Sequence, residues 1–246
     1  MSGRRGELRM LAVLLMVVLA WDASGLDLVV AHQLGDARGF AMRDAFWART
    51  LLHDALRWLE AAAWLLLGAD AMRRQRPAFG PSRGQRRRAL LGGVLTLLLV
   101  PALKSISSSS CPWSLVPFGG SAPWVSHWNW LLADGGPGHC FPSGHSAGVF
   151  AFCSWLWLWR PWRHDLGVRW PVACATLFGF GLLASFTQWA RGAHFVSHSL
   201  WSAWLCASLT WVLARAPGAM LPMKRAFVWR RQRSQPGARP SASSAP

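Results

Sequence analysis

The chain has 246 residues, 52% of them hydrophobic, with 18 Trp, no Tyr and a formal net charge of +16. That length fits one compact unit, and so apolar a composition excludes a disordered chain. A pI near 11.7 invites nucleic-acid binding, but the arginines fill short connections between apolar runs instead of forming a basic stripe on a soluble face, which excludes nucleic acid as the partner.

The first apolar run extends from Leu8 to about Val30 and is interrupted by Asp22 and Asp27. With Arg4 and Arg5 ahead of Leu11 to Ala20, it resembles a cleavable signal peptide. The missing small-x-small site and the return of apolar residues at Leu26 favour an uncleaved first span. Further runs cover Leu56 to Met72, Ala89 to Leu103, Ser146 to Trp159, Pro171 to Gln188 and Ser199 to Ala214. Several fall short of the ~20 residues that cross a bilayer comfortably. Flanking Trp and Arg can anchor such spans at the interface. The expected fold class is all-α: a polytopic membrane helix bundle of about six transmembrane helices.

Orientation follows from the basic residues. Arg4, Arg5 and Arg9, the Arg73 to Arg88 connection, the Arg160 to Arg169 connection and the C-terminal Lys224 to Arg233 cluster belong inside. Both termini are then cytoplasmic. Residues 1–88 read as two spans with an external and a basic internal loop, 89–214 as a four-span core, and 215–246 as a basic, disordered tail. The connections left outside are Asp22–Ala55, Ser105–Gly144 and Trp189–His198. Every histidine except His164 falls in or beside these three.

Two of the external segments carry the chemistry. One reads Cys140-Phe141-Pro142-Ser143-Gly144-His145-Ser146, the other Arg191-Gly192-Ala193-His194-Phe195-Val196-Ser197-His198. Pro142, Ser143 and Gly144 suit a helix start, whose free N–H groups attract an anion. His194 and His198 share a helix face, so one imidazole can orient the other. The same spacing suits a zinc pair, but no nearby carboxylate supplies a third ligand or a base, so no metal is expected. Lys104 is the only lysine outside the tail. Lysine, arginine, serine and two histidines around one pocket suit phosphoryl transfer. Cys111 and Cys140 lie in one external loop, where an oxidising compartment allows them to pair; two free thiols are the other reading.

These residues resemble the three signature segments of the type 2 phosphatidic acid phosphatase family, whose pocket is shared with vanadium-dependent haloperoxidases. The likeness runs from about Ala89 to Trp204 and rests on Lys104 to Pro112, Pro-Ser-Gly-His at 142–145 and Gly-Ala-His-Phe at 192–195. It implies that Lys104, Ser143 and the Gly144 N–H bind phosphate oxygens. His145 would be the general acid, and His194 the nucleophile that forms a phosphohistidine. No cofactor or metal is implied. Three positions depart from the family pattern: Cys111 and Gln188 stand where it has arginines, and His198 where it has aspartate. Arg191, one helical turn beyond Gln188, can reach the same phosphate. A neutral His198 can accept the proton of His194. A second register makes His198 the nucleophile with Ser202 in the aspartate position; it fits the motif less well. His53 and His127 stand outside the expected site.

The resemblance implies a lipid phosphate as substrate, entering laterally from the bilayer: phosphatidic acid, phosphatidylglycerol phosphate, undecaprenyl diphosphate or a lipid A phosphate. The Trp-rich loop from Ala122 to Leu132 reads as an interfacial lid or a plain anchor. A lipid-to-lipid phosphotransferase and a weakened, lipid-binding relative are the competing functions. A haloperoxidase is excluded, since those enzymes are soluble.

Overall fold

The structure, a computed structural model, describes residues 2–74, 79–129 and 132–215, so the expected basic tail lies outside the described residues. Nine α-helices follow in chain order within them: α1 Ser2–Ser24, α2 Leu26–Leu34, α3 Leu56–Met72, α4 Arg83–Ser105, α5 Gly144–Phe150, α6 Cys153–Trp159, α7 Arg163–Leu166, α8 Arg169–Ala190 and α9 Val196–Arg215. A π-helical segment, Trp47–Ala55, runs directly into α3. Among the described residues there is no strand, only two isolated bridges, so the all-α expectation holds.

Two helices, α4 and α8, are long and apolar enough to cross a membrane, and a third span arises if the bent pair α1–α2 counts as one. The bend is 71° and turns on Gly25, whose φ of 70° is left-handed. The single first run expected from the sequence is therefore a broken element. Its two carboxylates explain the break: Asp22 and Asp27 turn inward and bind other elements. Asp27 Oδ1 accepts from Trp21 Nε1 at 2.8 Å and from Ser197 N–H at 3.0 Å. It thereby satisfies a first-turn N–H of α9. The fourth run is likewise divided, into α5 and α6.

Helix α9 lies at the centre, packed by α1, α4, α5 and α6. Its interior face carries Ser197, His198, Ser199, Ser202 and Thr210, all buried. Helix α4 starts with a capping box, in which Gln85 N–H donates to Ser82 Oγ and Ser82 N–H to the Gln85 side chain. Farther along α4, the Trp64 indole of α3 lies on Gly93, where a Cβ would collide with it at 2.0 Å. The outer surfaces of α3, α4 and α8 expose Leu65, Leu66, Leu98, Phe178 and Phe186. An apolar exterior around a partly polar centre suits hydrocarbon surroundings.

The connections between helices pack on one another. Ala31, Phe40, Leu115, Phe118, Ala122 and Phe195 form one buried cluster drawn from all three segments that the charge pattern assigns to the same side. Gly192 closes this junction. Its φ is 70°, and a Cβ there would stand 2.2 Å from the Phe40 ring.

Candidate active site

Helix α5 begins where the Pro-Ser-Gly-His segment predicts a helix start. Ser143 is its N-cap and accepts from Ser146 N–H at 3.4 Å. The Ser143 hydroxyl also meets Ser146 Oγ at 3.0 Å; that oxygen in turn meets Ser185 at 3.0 Å and Ser199 at 2.9 Å. Ser143 is thus engaged in a buried hydroxyl network that ties α5 to α8 and α9. The space beside Gly144 is different: a Cβ built there meets nothing within 4 Å. Ser143 Oγ takes the Ser146 N–H, while the Gly144 and His145 N–H groups have no carbonyl partner within the helix.

His194 lies in the short turn between α8 and α9. Its backbone N–H and that of Ala193 both point to the Gln188 carbonyl, at 3.4 and 2.9 Å. His194 Nδ1 stands 3.4 Å from His198 Nδ1. The His198 carbonyl accepts from Ser143 N–H at 3.2 Å, and the Ser202 hydroxyl lies 2.8 Å from the carbonyls of both Ser143 and His198. These bonds lock the start of α9 to the start of α5. Ser202 is therefore occupied with carbonyl oxygens, and His198 is buried behind His194.

The disulfide Cys111–Cys140 is formed, with Cα atoms 5.1 Å apart. It joins the segment after Lys104 to the segment before Ser143. Cys140, His194 and His198 offer side-chain atoms within 4.8 Å of one another. With the Cys140 sulfur bonded to Cys111, that group contains no thiolate and keeps only two imidazole donors.

Lys104 ends α4, and among the described residues no carboxylate pairs with it. Burial first, then the Lys104 charge, hold the His194 imidazole well below its usual range; His145 and His53 act in the same sense. Lys104, His145 and His194 therefore share one electrostatic environment. Arg191 caps α8, and its Nε donates to the Arg43 carbonyl at 3.0 Å. Desolvation lowers its pKa, against the pull of Asp44 and Asp54. Gln188 is buried, and among the described residues its Nε2 has no partner.

A family model described as the PAP2 superfamily matches residues 87–220. The chain belongs to the PAP2 superfamily. No curated protein and no solved structure is significantly similar to it. PAP2 membership is consistent with phosphatase-type activity, and the matched residues include Lys104, Ser143, His145, Arg191, His194 and His198.

Four neighbours of this PAP2 site escape a motif-based reading. The His53 ring lies on His145, with centroids 4.6 Å apart, and His53 Nδ1 is 2.8 Å from Asp54. The His127 ring lies 5.7 Å from His198, edge to face, and His127 Nε2 is 3.3 Å from Asp22 Oδ2. Asp22, His53 and Asp54 precede the matched region. The only available signal was that their connections fall on the same side as the motifs.

Proposed function

We propose that this PAP2 protein is a metal-independent, integral-membrane lipid phosphatase that works through a phosphohistidine on His194. The contact of His194 Nδ1 with His198 carries the reading. An imidazole held by one nitrogen leaves the other, Nε2, as the nucleophile. Lys104 and Arg191 supply charge for the phosphate oxygens, and the opening N–H groups of α5 supply donors beside Gly144. Gln188 sits against the same turn as a neutral donor.

His194 Nε2 forms a bond to phosphorus as the bond to the leaving oxygen breaks. His145 gives its proton to that oxygen. Water then attacks the phosphohistidine, with His145 taking the water's proton, and phosphate departs as His194 regains its lone pair. The pocket contributes mainly by positioning the group and by stabilising charge on its equatorial oxygens.

The apolar exterior and the spacing of basic connections support six spans with both termini cytoplasmic and the site facing outward. A lipid phosphate monoester or diphosphate then reaches the site from the bilayer, its headgroup at the interface. The test is phosphate release from a panel of lipid phosphates by purified protein with a chelator present. Release that persists in chelator and is blocked by vanadate supports the proposal. Release that requires a divalent cation, or phosphate recovered only on a second lipid, contradicts it.

A further inference from the structure

His198 does not end the chain of imidazoles. If His194 attacks through Nε2, its own proton sits on Nδ1 and points at His198 Nδ1, 3.4 Å away. That atom must then present a lone pair, which puts the His198 proton on Nε2. Phe141 and Phe195 meet the His198 ring edge to face, at 5.3 and 5.4 Å between centroids. Neither phenyl ring can accept that proton as an oxygen or nitrogen would.

The polar group beyond is His127. It stacks on Phe141 at 4.1 Å, with planes only 10° apart, which fixes its ring edge-on to His198. Its Nε2 is 3.3 Å from Asp22 Oδ2, close enough for an ion pair though not aligned as a hydrogen bond. The Asp22 side chain is 6% exposed. The same oxygen accepts from Trp201 Nε1 at 2.5 Å and from Trp128 Nε1 at 3.1 Å. A cavity borders Asp22, Asp27, Ser109, His127 and His198. Most of its wall is apolar, from Leu28, Trp124, Val125 and Phe195 among others, but Asp22, Ser109, His127 and His198 give a bridging water polar partners.

A carboxylate buried to this degree is costly unless it balances positive charge or fixes donors. Two indoles and a neutral imidazole would satisfy it as a purely structural group. A transient cation on the His194–His198 pair gives it a second use, since phosphorylation of His194 drives its Nδ1 proton toward His198. We propose that Asp22, acting through His127, is the carboxylate that fixes the proton of His198 and balances the positive charge of the His194–His198 pair during turnover. Asp22 and His127 are positioning residues in this scheme, and the assignment rests on the phosphohistidine reading above. It makes the bent α1–α2 element, which lies outside the family-matched core, part of the catalytic apparatus.

Asp22→Asn retains an oxygen for both indoles and removes the charge. It is expected to lower kcat by about 10- to 100-fold with little change in KM, as loss of an outer partner does at comparable sites. His127→Gln is expected to do the same, and the double variant no worse than either single one. With a carboxylate placed directly on the nucleophile's partner by His198→Asp, adding Asp22→Asn should change kcat by less than about threefold. An equal loss in both backgrounds, or none in the His198 protein, overturns the relay. If the wild-type protein releases no phosphate from any lipid, the hydrolase reading fails by itself. The relay is then read by 15N NMR of the imidazoles: a single Nε2–H form of His198 that becomes a mixture in Asp22→Asn supports it, and an unchanged form refutes it.

Discussion

The sulfur of Cys140 lies 3.6 Å from Nδ1 of His194 while bonded to Cys111. The bridge therefore forms one wall of the turn that carries His194, and it fastens the segment after Lys104 to the segment before Ser143. The cysteines are 29 residues apart, so loop closure alone is worth about 3–4 kcal/mol. Cys111→Ser with Cys140→Ser should lower the thermal midpoint and reduce phosphate release by at least about tenfold, because His194 loses its wall. Treating the wild-type protein with a dithiol reductant should reproduce both losses. Full activity in the double variant would remove the bridge from the account.

His145 Nε2 is buried against the His53 ring and, among the described residues, has no hydrogen-bond partner. His145→Ala should abolish turnover, a loss of about 100-fold or more for a general acid. His53→Ala should cost about tenfold, since His53 only packs on the acid and ties it to Asp54. Steady-state rates of the two variants give the ranking, and a reversed ranking would transfer the acid role to His53.

His194 supplies a pH prediction with a definite sign. Its folded-state pKa lies well below 6.5, through burial first and Lys104 second. In the window between that pKa and 6.5 the unfolded chain binds more protons than the folded one, so stability falls as pH drops below about 6.5 and is level in this respect above it. Burial lowers His145 and His198 in the same sense, so thermal midpoints measured from pH 8 to 5 should show this slope and His194→Ala should make it shallower without removing it. Activity should also survive mild acidification, because His194 stays neutral. A sharp loss of kcat/KM centred on the ordinary imidazole range would contradict the shift.

Arg191 is anchored through Nε to the Arg43 carbonyl, which leaves its terminal nitrogens for a phosphate. Arg191→Ala should lower kcat/KM by about 100-fold, and Arg191→Lys should recover only part of it, a point charge being a poor copy of the planar fork. Gln188→Leu should lose less than Arg191→Ala. The opposite order in kcat/KM would move the cationic role away from Arg191.

Much of this arrangement could be read from residue order. The helix start at Ser143, the paired His194 and His198, and the bridge all lie within short motifs or loops whose chemistry is local. The first run could not be read correctly, because its apolar residues continue through Gly25 and only tertiary partners for Asp22 and Asp27 reveal the bend. Ser143 was legible as a cap but not as part of a hydroxyl network, which needs Ser185 and Ser199 from distant helices. His53 and His127 were invisible for the same reason. His53 lies in the π-helical segment and His127 in a loop, neither within a motif, and only folding brings them against His145 and His198.

The central claim is a covalent bond between phosphorus and His194. Mixing the protein with a lipid labelled in its phosphate and quenching within milliseconds tests it directly. The account predicts label bound to protein that survives alkali, is lost in acid, maps to His194 and is missing from His194→Ala. Label on any other residue, or phosphate release from the alanine variant at the wild-type rate, would contradict it.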